Sequence, residues 1–173
     1  MELGKMYFYT STIVEWKLLL KPVKYKEIII NSLKHLVNQK KIAVYGFVIM
    51  PNHIHLIWEL LNMNGKELPH SSFMKFTSHK ILYDLKFDNP EFLNQFKSDL
   101  NTRDYQFWQG DSLAIELYTP DVIFQKLNYI HNNPVQGKWM LANSPTEYPY
   151  SSAAYYATGY DNFGFLTHIG VRL

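Results

Sequence analysis

The chain contains no cysteine. That excludes a disulfide framework, a thiolate zinc site and a cysteine nucleophile, and it gives no reason to place the protein in an oxidising compartment. Long apolar runs are missing too, and no stretch approaches the length of a membrane-spanning helix. The N-terminal "MELGKMYFYTSTIVEWKLLLKP" lacks the basic segment, apolar segment and small-residue cleavage site of an export signal. Internal repeats and low-complexity tracts are also absent. The expectation is a cytoplasmic protein without a membrane partner.

What is present suffices for one domain. With 173 residues, 47% of them hydrophobic, the chain can bury a sizeable core without covalent staples, and a single domain over residues 1–173 is expected. The net charge of +2 conceals an asymmetry: residues 1–86 carry 12 lysines against 6 acids, and residues 87–173 carry 5 basic residues against 9 acids. A basic N-terminal half suits a polyanion, although the same lysines also make an ordinary solvated surface. The 13 Tyr, 11 Phe and 4 Trp suit stacking on unpaired bases as well as core packing.

Periodicity gives the order of elements. "KMYFYTSTIVEW" reads as a first strand near residues 6–15, and "VKYKEIIINSLKHLVNQKK" as an amphipathic helix over about 24–40. "IAVYGFVIM" and "HIHLIWEL", separated by Pro51-Asn52, read as an antiparallel hairpin. Ser71 or Ser72 can cap a second helix, "SFMKFTSHKILYDLKF", which ends before Asn89-Pro90. Residues 88–106 have weak periodicity and read as an irregular connection or an inserted helical turn. "FWQGDSLAIEL" looks like a fourth strand interrupted at Gln109-Gly110. "TPDVIFQKLNYIHNNP" is a helix with Thr119 as cap, Pro120 at its first position and Pro134 as stop. A tail follows about residue 157. The order β-α-β-β-α-β-α fits an α+β fold: a ferredoxin-like split βαβ antiparallel sheet with helices on one face and an added C-terminal helix.

Chemistry enters at "MPNHIHLIWEL". A strand alternates its side chains, so His53, His55, Ile57 and Glu59 share one face while Ile54, Leu56, Trp58 and Leu60 share the other. Two neutral imidazoles on one face can chelate an ion, and two hydrogen-bonded core histidines would give the same spacing. On the last helix, turning Ile123, Leu127 and Ile130 inward puts Lys126, Tyr129 and Asn133 together on one flank. A phenol, an amide oxygen and an ammonium there suit a nucleophile, a metal ligand and a phosphate contact. Spacing alone also allows an ordinary surface tyrosine and a helix-end asparagine.

"FVIMPNHIHLIWEL", "FWQGDSLAIEL", "YIHNNPVQGKW" and "EYPYSSAAYY" stand in the order and at the separations of the hallmark segments of the REP-associated tyrosine transposases. These belong to the wider IS-two-hundred-like transposase family of HUH endonucleases. The chain resembles that family from about Tyr7 to about Tyr156. The resemblance implies His53, His55 and Asn133 as ligands of a divalent metal, Mg²⁺ or Mn²⁺, and Tyr129 as the nucleophile that cuts single-stranded DNA beside a hairpin. Lys126, and Lys75 and Lys80 among the lysines of the first two helices, are expected DNA contacts, and Glu59 is a candidate base. The protein would then be nucleoid-associated and act as a monomer or a homodimer. Gln136 stands where family members often have Arg, and Asp111 where they often have a basic residue, which bears on DNA affinity. Two rivals keep the same residues: a hairpin-binding regulator without activity, and a hydrolytic metal phosphodiesterase using water.

Overall fold

A computed structural model describes residues 1–99 and 101–173. Its four strands are β1 (Met6–Thr12), β2 (Ile42–Ile49), β3 (His53–Leu60) and β4 (Leu113–Glu116). They form one sheet in the order β2-β3-β1-β4 with every neighbouring pair antiparallel. Helix α1 (Val23–Asn38) joins β1 to β2, and α2 (Pro69–Asp88) lies between β3 and β4. This is the ferredoxin-like split βαβ arrangement expected from the element order.

Strand parity divides the core in two. Tyr7, Tyr9, Phe47, Leu56 and Trp58 turn toward α1 and α2, where Ile29, Leu33, Phe73, Ile81 and Leu85 are buried with them. Met6, Phe8, Val48 and Ile57 turn the other way, against Ile123, Leu127 and Ile130 of α4 (Pro120–Asn132). The helix added after the last strand thus takes the face that α1 and α2 leave free.

Several local expectations need correction. β1 stops at Thr12 because Val14–Trp16 form a single 3-10 turn in which Glu15 and Trp16 have φ of 53° and 57°. Helix α2 starts earlier than Ser71: Pro69 fixes the first turn and Leu68 precedes it with no side-chain cap. The 88–106 connection contains one short helix, α3 (Pro90–Asn94), capped by the Asn89 side chain, which accepts from the Phe92 N–H. Position 100 of that connection lies outside the described residues. In "FWQGDSLAIEL" only Leu113–Glu116 is strand, while Trp108 bridges to Ile13.

The residues read as a tail pack onto the sheet, following α5 (Ala153–Thr158). Thr167 donates its N–H to the Val44 carbonyl at 2.9 Å, Ile169 is buried, and Arg172 reaches Glu59. Tyr150 and Ser151 also bond along β2, so that edge of the sheet is covered.

One close approach seats α4. The register slips between Val44 and Gly46, a bulge with Tyr45 as the extra residue. A Cβ at Gly46 would lie 2.6 Å from Leu127 Cδ1. Gly46→Ala should therefore cost about 1–3 kcal/mol in denaturant unfolding through overpacking. Adding Leu127→Ala should recover part of that loss, so the double variant should cost less than the sum of the single changes; simple additivity would show that α4 does not press on this strand.

Candidate active site

Helix α4 packs over β2 and β3. On the same face, β4 carries Leu113 and Ile115, paired with Thr10 and Phe8 and left 52% and 37% exposed. The histidines of β3 lie where the covered half meets the open half. Both side chains are buried, and their ring centroids are 4.8 Å apart.

Each histidine is held by its Nδ1. His53 Nδ1 is 2.7 Å from Asn52 Oδ1, and Asn52 Nδ2 donates to the Trp16 carbonyl at 3.1 Å. The second bond fixes which end of the amide faces His53, so Nδ1 carries the proton and Nε2 keeps its lone pair. His55 Nδ1 is 2.7 Å from Thr10 Oγ1, its cross-strand partner. Holding one ring nitrogen by hydrogen bond leaves the other for an ion, which is how ligating histidines are oriented.

Electrostatics keep both rings neutral. Burial pushes His53 down to about 4; Asn133 opposes part of this and the Lys138 charge adds to it. Burial, then the neighbouring His53, then Lys126 push His55 down to about 3. Neutral imidazole is the ligating form. Asn133 stands against His53, yet among the described residues its buried Oδ1 has no hydrogen-bond partner. Among the described residues no three His, Asp or Glu side chains converge. Two imidazoles and this orphaned amide oxygen therefore make the donor set, and it fits a divalent cation.

Tyr129 enters from α4. Its ring meets His55 edge-on at 5.3 Å and Phe8 at 6.0 Å, and the residue is 47% exposed. Asn133 follows one helical turn later, opening a 3-10 turn that ends at Val135. Lys126, on the same flank, holds its ammonium 4.9 Å from the Phe8 ring centroid. The structure thus brings His53, His55, Tyr129, Asn133 and Lys126 together.

Other expected residues lie elsewhere. Lys75 and Lys80 are on α2, behind the sheet, where Lys75 pairs with Glu67 and Lys80 stands over Phe76. Lys75 lines a groove of about 1100 Å³ together with His79, Lys86, Arg103 and Asp111. Gln136 is exposed just past the 3-10 turn. Glu59 does not serve as a base: it is buried, accepts from Tyr45 Oη at 2.8 Å and pairs with Arg172 at 3.0 Å. At four residues from His55 it is also roughly 13 Å away along the strand. Sequence reasoning missed the orienting roles of Asn52 and Thr10. Asn52 read as a turn residue, and Thr10 becomes visible only once the β1–β3 register is known.

No family model and no curated protein matches the chain. Among solved structures, it is similar to a REP-associated tyrosine transposase bound to a REP hairpin, with a TM-score of 0.63 and 16% identity over 97% of this chain and 88% of that one. The likeness establishes the fold. Among the described residues no helix is long and apolar enough to cross a membrane.

The depressed histidines set an acid limit. A group with a lowered folded-state pKa contributes its full stability above the ordinary histidine value near 6.5 and loses it as pH falls toward the folded value. His131, which burial pushes to about 4 beside Ser152 Oγ, adds to His53 and His55. The melting temperature should fall steadily from pH 7 to pH 5 in the metal-free protein. A melting temperature that is flat across that interval would contradict the neutral assignments.

Proposed function

We propose that the protein is a single-strand DNA endonuclease and strand transferase that cuts beside hairpins through Tyr129. The observation that carries this reading is the meeting of a neutral, pre-oriented histidine pair on β3 with a half-exposed phenol on α4. The similar transposase structure is bound to a REP hairpin, which supports hairpin or single-stranded DNA as the ligand here. Its place of action would be the cytoplasm, at the nucleoid.

In this reading His53, His55 and Asn133 would hold Mg²⁺ or Mn²⁺, whose chemistry there would be Lewis-acid neutralisation of the scissile phosphate's charge. Lys126 adds positive charge on the same flank. Tyr129 attacks phosphorus in line: a bond forms from its Oη to phosphorus and the bond from phosphorus to the 3′ oxygen breaks. The phenolic proton leaves to solvent and the departing oxygen takes up a proton, ending as a free 3′-OH. The 5′ phosphate stays on the tyrosine, so the phosphodiester energy is kept for joining to another 3′-OH. The open half of the face, with Thr10, Leu113 and Ile115, gives a strand room to approach.

Incubation with a cognate hairpin and a divalent metal should yield a covalent protein–DNA species linked through the 5′ phosphate. Tyr129→Phe should keep fold and DNA binding while losing both cleavage and adduct. Cleavage surviving in that variant would move the nucleophile to water and favour the hydrolytic reading. His55→Ala should abolish cleavage with little loss of hairpin binding in gel shifts, because His55 lies on the sheet face opposite the core packed by α1 and α2. Full turnover by this variant would refute its assignment as a ligand.

A further inference from the structure

The row of rings through the site continues past the histidines. Trp16 meets His53 edge-on with centroids 6.4 Å apart, and Trp139 approaches the same ring at 5.9 Å. Neither indole is needed to hold an ion or to attack phosphorus. Trp16 is 59% exposed, yet its backbone is firmly fixed. Its N–H donates to the Ile13 carbonyl at 3.0 Å, its carbonyl accepts from Asn52, and the preceding Val14 N–H donates to Phe107 at 2.8 Å. These bonds hold Glu15 and Trp16 in a left-handed conformation that residues with side chains rarely adopt. The same Asn52 sets the proton position on His53. Lys138 places its ammonium 5.3 Å from the Trp139 ring centroid.

The reaction geometry gives these rings an occupant. In an in-line displacement the nucleophile and leaving group lie on opposite sides of phosphorus. Tyr129 stands on the His55 side and the indoles on the His53 side, so with the scissile phosphorus set over the histidine pair the departing 3′ oxygen would point toward His53 and the two indoles. Indole faces stack on any unpaired base, whereas a base inside a duplex already has its neighbours. Resting on the reading of Tyr129 as nucleophile, we infer that Trp16 and Trp139 grip the unpaired base immediately 5′ of the cut phosphate, on the nucleotide that leaves with the free 3′-OH. The tryptophans are positioning residues: they hold this nucleotide by its base while Tyr129 takes the phosphate beyond it. Because stacking is tolerant of base identity, the grip fixes where the strand is cut more than which base stands there.

The test uses a hairpin with a single-stranded extension, enriched from a randomised pool on the unaltered protein and cut by it to locate the scissile bond. Abasic nucleotides are then placed one at a time along the extension, and affinity is measured for the unaltered protein, Trp16→Ala and Trp16→Phe. Trp16 is exposed, so circular dichroism should show each variant folded. On intact DNA, Trp16→Ala should bind roughly tenfold more weakly or worse, the size expected for one lost base–aromatic stack. Trp16→Phe should restore most of the affinity. The abasic nucleotide immediately 5′ of the cut should erase the difference between the unaltered protein and Trp16→Ala, and no other position should. Coupling at a nucleotide 3′ of the cut, or an equal loss on every abasic substrate, would overturn the stack while leaving the transferase reading standing. A pool that never enriches, or enriched DNA that is bound and never cut, would overturn the transferase reading and the stack's place beside the cut with it.

Discussion

A strand buried on both faces must divide its residues by parity, because each side chain meets a different layer of the molecule. β3 obeys this along its whole length. Ile54, Leu56, Trp58 and Leu60 fill the core under α1 and α2, while His53, His55, Ile57 and Glu59 lie on the other face, which α4 shares with Tyr45 and Arg172. A slip of one residue would put two imidazoles and a carboxylate into the larger core, so the register of the whole sheet is fixed by the polar residues as strongly as by the apolar ones. The site inherits its precision from that constraint. Its histidines stand on a strand buried along its whole length, while Tyr129, Lys126 and Asn133 come from α4 and the turn that follows it.

Burying three ionisable side chains on one strand face carries a cost that the structure meets in two ways. The histidines shed their charge and keep one hydrogen bond each, to Asn52 and Thr10. Glu59 is matched with a guanidinium and a phenol instead; burial, and then the Glu59 carboxylate, push the Tyr45 hydroxyl well above its ordinary range. Neutralisation leaves lone pairs available; pairing leaves nothing available. The two ends of one strand face therefore have opposite characters, with lone pairs free at His53 and a closed ion pair at Glu59, although the sequence presents them as members of the same alternating set.

That difference shows what was legible beforehand. The element order, the split βαβ topology and the sharing of a face by His53 and His55 follow from local periods of two and 3.6 residues. The clustering of Lys126, Tyr129 and Asn133 follows from helical spacing in the same way. Which face α4 would cover was legible only in outline, from the face that two earlier helices leave bare. Glu59 could not be read correctly because its partner Arg172 lies 113 residues away, in a segment that looks like a tail. The turn at Val14–Trp16 that cuts the first strand short is not legible, since nothing local announces two consecutive left-handed residues without glycine. Lys75 and Lys80 were grouped with the site by charge, a property that carries no information about which side of a sheet a helix occupies.

The Arg172–Glu59 pair has a consequence for the order in which the chain matures. Arg172 also donates to the Gly4 carbonyl at 3.3 Å, so the first strand's approach, the middle of the sheet and the last turn of the chain are tied at one point. During synthesis the sheet can assemble as soon as β4 has emerged, but Glu59 then sits in a closing interior without its cation, a situation that favours local opening around β2 and β3. The latch arrives only when residue 172 has been made. Until then the tie between Gly4, Glu59 and residue 172 is missing, and this corner of the sheet is held without it.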